Sequence, residues 1–368
     1  MKTKRQSLAV LLVTGAVLLG LALLCWFSSP QAYSESERRA LEDFPQLNAD
    51  TLLSGKFMEK FEKYTQDQFP LRDDFRRLKA LAALHLFRQQ DNNGIYETEG
   101  FVSKLEYPLR ENMVAHAAER IRFICETYLA GTGSRTYLAV APDKNYFLAE
   151  ENGYPALDYG ALTEALRGGV PDAAYIDLFP LLSIDDYYRT DTHWRQEKLL
   201  PVAETLATGM GTTLSGPYGE QTLDVPFRGV YVGQSALPLE PDTIRYLTSA
   251  VLENATVQLY GERGWEESTV YDFEKAAGKD AYEFFLSGAE ALITLENPLA
   301  GTDRELILFR DSFGSSLAPL LLSGYAKITL VDIRYVSSAA LGELIDFHGQ
   351  DVLFLYSSLI LNASSGLR

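Results

Sequence analysis

Cysteine and histidine are scarce in this sequence of 368 residues, which has two cysteines and four histidines. Cys25 lies in a long apolar run and Cys125 falls on an amphipathic helical pattern, so the two are not expected to pair. The sequence has no His-x-x-x-His spacing and no closely spaced cysteine pair. The composition therefore excludes a disulfide framework, and we predict no metal site and no cofactor.

Basic residues are also few, because 33 Lys and Arg stand against 50 Asp and Glu and give a net charge of −17. A nucleic-acid-binding protein needs a basic surface, so we expect no nucleic-acid partner. A hydrophobic content of 46% with 12% aromatics excludes general disorder. The sequence shows no internal repeat and no low-complexity tract, and its length suits one large α/β domain after the N-terminal segment.

One long uncharged apolar run is present, from residue 8 to residue 27, and it has the length of a membrane-spanning helix. Lys2, Lys4 and Arg5 precede it, so the N-terminus is expected in the cytoplasm and the rest of the chain outside. A cleaved signal peptide is the alternative, and Ser28-Ser29 leaves cleavage possible. The bulky end of the run favours an uncleaved anchor, residues 1–30, in a single-pass protein of the cell membrane.

The pattern after the anchor divides into two parts. Residues 31–92 form a helical lead-in segment, and residues 93–368 form an α/β domain with a mainly β insertion at about 212–300. Apolar runs alternate with helical periods, which predicts a parallel sheet with helices on both faces. The expected strands lie near residues 136–140, 174–178, 306–309, 328–331 and 352–355.

Two short stretches contain the residues of a nucleophilic site. In Asp191-Thr192-His193-Trp194 an acid and a histidine stand two positions apart and can lie on one side of an extended segment. In Arg310-Asp311-Ser312-Phe313-Gly314 a serine follows an apolar run and precedes a helical pattern. A strand-to-helix turn exposes such a serine at the carboxyl edge of a sheet. We therefore predict Ser312 as nucleophile, His193 as base and Asp191 as the group that orients the imidazole.

Each member of this trio also has a structural interpretation. Asp191 is a possible cap of the following helix, His193 a possible structural histidine, and Ser312 a possible helix N-cap. Capping and catalysis are compatible for Ser312. If the three side chains meet, the chemistry that they support is acyl transfer, with the Ser312 N–H as a candidate oxyanion donor.

The two stretches resemble the DHHW proteins and the related alginate O-acetyltransferase group of the SGNH-hydrolase-like superfamily. Thr192 is the residue that the acetyltransferases have at this position, whereas the DHHW group has His there. The residues after Trp194, Arg195-Gln196-Glu197-Lys198, differ from those that usually follow the motif in the family. Several further stretches match in the same order: 36–39 with 43–45, 67–72, 93–96, 141–144 and 331–335. The resemblance implies a flavodoxin-like sheet and assigns the triad to Asp191, His193 and Ser312.

The resemblance also implies a function. An extracytoplasmic, membrane-anchored enzyme would transfer an acyl group, most simply acetyl, to a cell-surface or exported polysaccharide. A polytopic membrane O-acyltransferase would be the acyl donor. Two alternatives stay open, namely a polysaccharide acetylesterase with the same triad and a non-catalytic surface or glycan-assembly protein on the same fold. Four residues in or beside the matched stretches are expected to bind substrate: Trp194, Arg310, Tyr188 and Lys144.

Overall fold

The structure is a computed structural model that describes residues 2–34, 36–261 and 263–368, with side chains from residue 6 onward. Its contacts divide the chain into two units. The first contains the chain up to Asn92 together with Gly233–Pro238, and the second contains Asn93–Val232 and Leu239–Arg368.

The first unit begins with one long helix and continues as short helices. Within the long helix, Gln6–Phe27 is long and apolar enough to cross a membrane, and none of it is buried. Phe44 packs edge-on against the rings of Phe61 and Tyr64, which joins the loop to the next helix. The elements are α1 (Lys2–Phe27), β1 (Tyr33–Ser34), β2 (Arg39–Ala40), α2 (Ala49–Leu53), α3 (Lys56–Asp67), α4 (Arg72–Leu81) and a π-helical turn at Ala82–Leu86.

The second unit is built on one eight-stranded sheet, with two further strand pairs beside it. Its strands are β3 (Ile95–Thr98), β4 (Phe101–Lys104), β5 (Arg135–Ala141), β6 (Ala174–Tyr175), β7 (Gly219–Phe227), β8 (Asp242–Thr248), β9 (Thr256–Gly261), β10 (Gly264–Ser268), β11 (Leu292–Glu296), β12 (Glu305–Arg310), β13 (Lys327–Val331) and β14 (Asp351–Ser357). The remaining α-helices are α5 (Glu111–Ile124), α6 (Lys144–Leu148), α7 (Tyr159–Gly169), α8 (Leu200–Gly209), α9 (Val230–Ser235), α10 (Ala250–Asn254), α11 (Phe273–Ala276), α12 (Phe313–Leu321), α13 (Leu341–Leu344) and α14 (Ser358–Leu361).

The order of the large sheet is β10-β9-β11-β13-β12-β14-β5-β6. The five strands from β13 to β6 are parallel, and they are the five that the apolar runs predict. Strands β11, β9 and β10 join them antiparallel, so the sheet is mixed where the sequence predicts a parallel one. The three extra strands come from the β-rich insertion, and only two residues separate β9 from β10, a connection too short for a parallel pair.

Helices cover both faces of this sheet, as predicted. Along β14, Leu353 and Leu355 pack in one core with residues of α8 and α12. Val352, Phe354 and Tyr356 alternate with them and pack in a second core with residues of α5 and α7. Every residue of β14 is buried, which is the pattern of a central strand in a sheet covered on both sides. The carboxyl ends of β12, β14 and β5 therefore meet at one edge, where ligands bind in open α/β sheets.

Candidate active site

Ser312 lies at the carboxyl end of β12, in the turn that leads into α12. Its hydroxyl does not cap the helix. The neighbouring carboxylate of Asp311 takes that role, because its Oδ1 accepts the N–H of Phe313 at 3.0 Å. The other oxygen of Asp311 accepts the N–H and the hydroxyl of Ser357 at the end of β14. The turn is thus anchored by Asp311, which leaves the partly exposed Ser312 hydroxyl available for other chemistry.

His193 lies at the base of a narrow loop. Tyr187 and Trp194 form an antiparallel bridge across this loop, and the N–H of Tyr188 donates to the carbonyl of His193 at 3.1 Å. The His193 ring contacts both other members of the predicted trio. Its Nε2 lies 2.7 Å from Ser312 Oγ, and its Nδ1 lies 2.5 Å from Asp191 Oδ1. In the tautomer with the proton on Nδ1, the hydroxyl donates to the imidazole and the imidazole donates to the carboxylate.

Asp191 is buried, and both of its carboxylate oxygens accept hydrogen bonds. Its Oδ1 also accepts the N–H of His193 at 3.1 Å, and its Oδ2 accepts the N–H of Val230 at 2.8 Å. Burial alone would raise the pKa of Asp191. The attraction of His193 and these hydrogen bonds outweigh burial, so the pKa of this carboxyl lies well below its ordinary value. Asp191 is therefore a carboxylate that fixes the orientation of the ring.

A short segment of the insertion holds the backbone of Asp191 in place. The N–H of Gly229 donates to the Thr190 hydroxyl at 2.9 Å, and that hydroxyl donates to Asp242 at 2.6 Å. A Cβ at Gly229 would lie 2.2 Å from the carbonyl oxygen of Thr190 and 2.3 Å from the N–H nitrogen of Asp191. Only glycine fits this close approach.

Tyr282 is a residue of the site that the sequence does not reveal. Its ring stacks on the His193 ring, with centroids 3.8 Å apart and planes 6° from parallel. Its hydroxyl donates to Ser316 Oγ of α12 at 2.9 Å. Burial raises the pKa of Tyr282, so the phenol stays neutral. Tyr282 belongs to the β-rich insertion and to no motif, so no sequence signal was available to find it.

Trp194 and Tyr188, two of the four residues expected to bind substrate, are buried inside the unit. The indole N–H of Trp194 donates to the carbonyl of Phe313 and to Ser316 Oγ, each at 3.0 Å. The Tyr188 ring packs edge-on against Phe227 at 5.0 Å. In this structure Trp194 ties the histidine loop to α12, which differs from the expected contact with a sugar.

Arg310 and Lys144, the other two, are buried as well. A guanidinium nitrogen of Arg310 lies 3.8 Å from an oxygen of Asp332, and both side chains are fully buried. The ammonium of Lys144 donates to the carbonyls of Tyr188 and Arg189, at 3.0 and 3.1 Å. Through these two hydrogen bonds Lys144 stabilises the backbone of the loop that leads to Asp191. Because burial removes these side chains from solvent, the structure gives them supporting positions where the sequence predicts substrate contact.

Comparisons with known proteins agree with this fold. No protein-family model and no curated protein matches the chain. Among solved structures, a DHHW family protein from Eubacterium siraeum is similar, with a TM-score of 0.60, 19% identity, and coverage of 75% of this chain and 95% of that one. Bacillus cereus PatB1, solved with a sulfonyl adduct, has a TM-score of 0.59 at 18% identity and covers 73% of this chain and 95% of its own. The chain thus shares the α/β fold of these two proteins, and the resemblance to the DHHW proteins is confirmed at the level of fold.

Proposed function

We propose that this protein is a membrane-anchored O-acetyltransferase that modifies an extracytoplasmic polysaccharide through Ser312, His193 and Asp191. One observation supports the proposal above all others. The hydroxyl, the imidazole and the carboxylate form an unbroken chain of contacts of 2.7 and 2.5 Å, at the sheet edge where α/β proteins bind ligands. The hydroxyl end of this chain is partly exposed, whereas the carboxylate end is buried.

Acylation of the enzyme begins when His193 Nε2 takes the proton of Ser312 and Oγ bonds to the carbonyl carbon of the acyl donor. The carbonyl oxygen becomes an oxyanion, for which the Ser312 N–H at the start of α12 is the proposed donor. His193 then returns its proton to the leaving group as the donor bond breaks. The product is an acetyl ester of Ser312.

Transfer repeats these steps in the opposite direction. His193 takes the proton of an acceptor hydroxyl, and that oxygen bonds to the acetyl carbon. The bond to Ser312 Oγ breaks, and the proton returns to the serine. With a sugar hydroxyl as acceptor the reaction is a transfer, and with water it is a hydrolysis. Asp191 stays ionised and stabilises the imidazolium in both halves.

The choice of acetyl, polysaccharide and membrane is supported by sequence features. The ordered motif matches to the alginate O-acetyltransferase group favour an acetylated glycan as product. A helix long and apolar enough to span a membrane, preceded by basic residues, favours a cytoplasmic N-terminus with the triad outside. The resemblance to the alginate O-acetyltransferase group implies a polytopic membrane O-acyltransferase, and we propose such a protein as the acyl donor.

An acetyl-transfer assay tests the proposal. Full-length protein in detergent is given 4-nitrophenyl acetate with and without an oligosaccharide acceptor, and both acetate and acetylated sugar are measured. Ser312→Ala is expected to lower turnover by about 10³-fold or more, since it removes the nucleophile. Ser315→Ala is the matched control. Ser315 also lies in α12, and its buried hydroxyl has no hydrogen-bond partner among the described residues.

The products separate the three functions that the fold permits. Acetylated sugar that disappears in Ser312→Ala supports the transferase. Free acetate alone, unaffected by acceptor, would assign an esterase. Equal turnover in the wild type and Ser312→Ala would remove the catalytic role and leave a binding or assembly protein.

A further inference from the structure

Helix α4 of the first unit carries a stripe of exposed apolar side chains. Leu71, Phe75 and Leu78 are 59%, 44% and 62% exposed. Phe75 and Leu78 stand three residues apart and share one face of the helix, and Leu71 is the residue that directly precedes it. Ala80, on another face, is completely buried. The helix thus has one buried side and an apolar side on which Phe75 contacts the ring of Phe69 and is still 44% exposed.

The beginning of α4 is tied to the end of the membrane-spanning segment. The N–H of Gln31 donates to Gln68 Oε1, and Gln68 Nε2 donates to the carbonyl of Gln31, both at 2.8 Å. The same corner and α1 line one cavity of about 550 Å³, to which Leu24 and Leu71 both contribute. These contacts hold the first turn of α4 beside the end of α1.

This attachment limits the distance of α4 from a bilayer. Gln31 follows Phe27, the last residue of α1, by four positions. Four residues span at most about 14 Å, and the headgroup region on each side of a bilayer is about 5–8 Å thick. Because Leu71 lines the same cavity as Leu24 of α1, the stripe begins beside the end of α1, and therefore close to the headgroups whenever α1 spans the membrane.

The charge of α4 fits the same location. The helix contains four basic and two acidic side chains, a net charge of +2 in a chain of −17. Its basic residues are Arg72, Arg76, Arg77 and Lys79. Apolar side chains beside long cationic ones are the composition of helices that lie in the membrane interface.

We infer that α4 lies in the headgroup region of the bilayer, with Leu71, Phe75 and Leu78 directed toward the acyl chains. The occupant of the stripe is thus a lipid surface that contains anionic lipid. This inference rests on the proposed anchoring by α1, and it adds a second membrane contact to the protein. The consequence is that the first unit is held at the membrane at two points.

Site-specific fluorescence in nanodiscs tests this contact. In full-length protein with Cys25→Ser and Cys125→Ser, the environment-sensitive dye NBD is attached at Phe75→Cys, Leu78→Cys, Arg77→Cys or Leu18→Cys. Arg77 is the matched control, because it lies in the same helix outside the stripe and its side chain is 51% exposed. Leu18 reports on α1, where it is 63% exposed. Nanodiscs of phosphatidylcholine and phosphatidylglycerol carry either normal or brominated acyl chains.

We expect NBD at positions 75 and 78 to emit at shorter wavelength, to be quenched by brominated lipid and to be protected from iodide. At position 77 iodide should quench and brominated lipid should not. Quenching by iodide at 75 and 78 equal to that at 77 would overturn the inference. So would protection from iodide without quenching by brominated lipid, since a protein surface would then cover the stripe. Absence of lipid quenching at position 18 would overturn the anchoring by α1. The label at position 18 therefore distinguishes a failure of the proposed anchoring from a failure of the α4 inference.

Discussion

The His193 ring is held between a carboxylate and an aromatic face. Asp191 fixes its rotation through Nδ1, and Tyr282 fixes its plane by stacking at 3.8 Å. Tyr282 is in turn held by its bond to Ser316 and by the neighbouring rings of Phe227 and Phe285. A neutral phenol ring stacked on the imidazole restricts the motion of the ring, and it would not compete for the proton that His193 transfers in the proposed mechanism. We therefore regard Tyr282 as a positioning residue for the base.

Substitutions of Tyr282 separate the ring from the hydroxyl. Tyr282→Phe keeps the stacked face and loses the bond to Ser316, so kcat is expected to fall less than about tenfold. Tyr282→Leu removes the face, and a base displaced by about 1 Å loses on the order of 10²-fold in kcat. Steady-state kinetics with an activated acetyl ester measures both. A positioning role predicts a nearly constant KM, and equal losses in the two variants would contradict it.

Motif matches identify residues of the site more readily than they identify what each residue touches. Ser312, His193 and Asp191 are brought together as the spacing of an acid, a base and a strand-end serine predicts. Trp194 and Lys144 occur in matched stretches too, yet both side chains are buried. A sequence motif does not predict whether a side chain faces the site or the core. It does not predict Tyr282 at all, because Tyr282 contacts His193 only when the distant insertion packs against the histidine loop.

At the scale of elements, the loop before Asp191 depends on a buried lysine. Lys144 follows β5 and donates to two consecutive carbonyls of that loop. Burial lowers the pKa of Lys144 from its ordinary 10.5 to about 7, against the opposing attraction of Asp191, Asp242 and Asp143. A neutral amine still has two N–H groups, which is the number that the two carbonyls require.

The pH dependence of stability tests this element. Between about pH 7 and 10.5 the unfolded chain keeps the proton of Lys144 and the folded chain releases it, so stability rises with pH in this window. The gain is at most about 1.4 kcal/mol per pH unit. Lys144→Met lacks this titration. The difference in unfolding free energy between wild type and variant should therefore grow from pH 7 to pH 9 in chemical denaturation, and parallel curves for the two proteins would contradict the account.

The regular elements show why some of the fold is predictable from sequence. Apolar runs at β5, β12, β13 and β14 indicate buried strands because both faces of the sheet are covered. Strands β9 to β11 have weaker patterns, and periodicity does not tell which distant strand each will pair with. Their addition to the edge of the sheet depends on tertiary contacts.

Pro201 lies in the first turn of α8, so the helix begins at Leu200, after a 3₁₀ turn at Gln196–Lys198.

At the scale of the whole molecule, a helix long enough to cross a membrane is covalently joined to an α/β unit that carries the candidate triad. The predicted topology follows from Lys2, Lys4 and Arg5 before this helix. That topology predicts the acidic remainder of the chain on the extracytoplasmic side. On that side an acetyl group has to arrive already activated, which is why the proposed function includes a membrane acyltransferase as donor.

The acetyl-enzyme tests the central claim most directly. Full-length protein is mixed with 4-nitrophenyl acetate in the absence of a sugar acceptor, stopped with acid and digested, and its peptides are measured by mass spectrometry. The triad geometry predicts an acetyl ester on the peptide that contains Ser312, present in the wild type and in Ser315→Ala and absent in Ser312→Ala. No adduct at Ser312 in an otherwise folded wild-type protein, or an adduct of the same yield in Ser312→Ala, would contradict the assignment of Ser312 as the nucleophile.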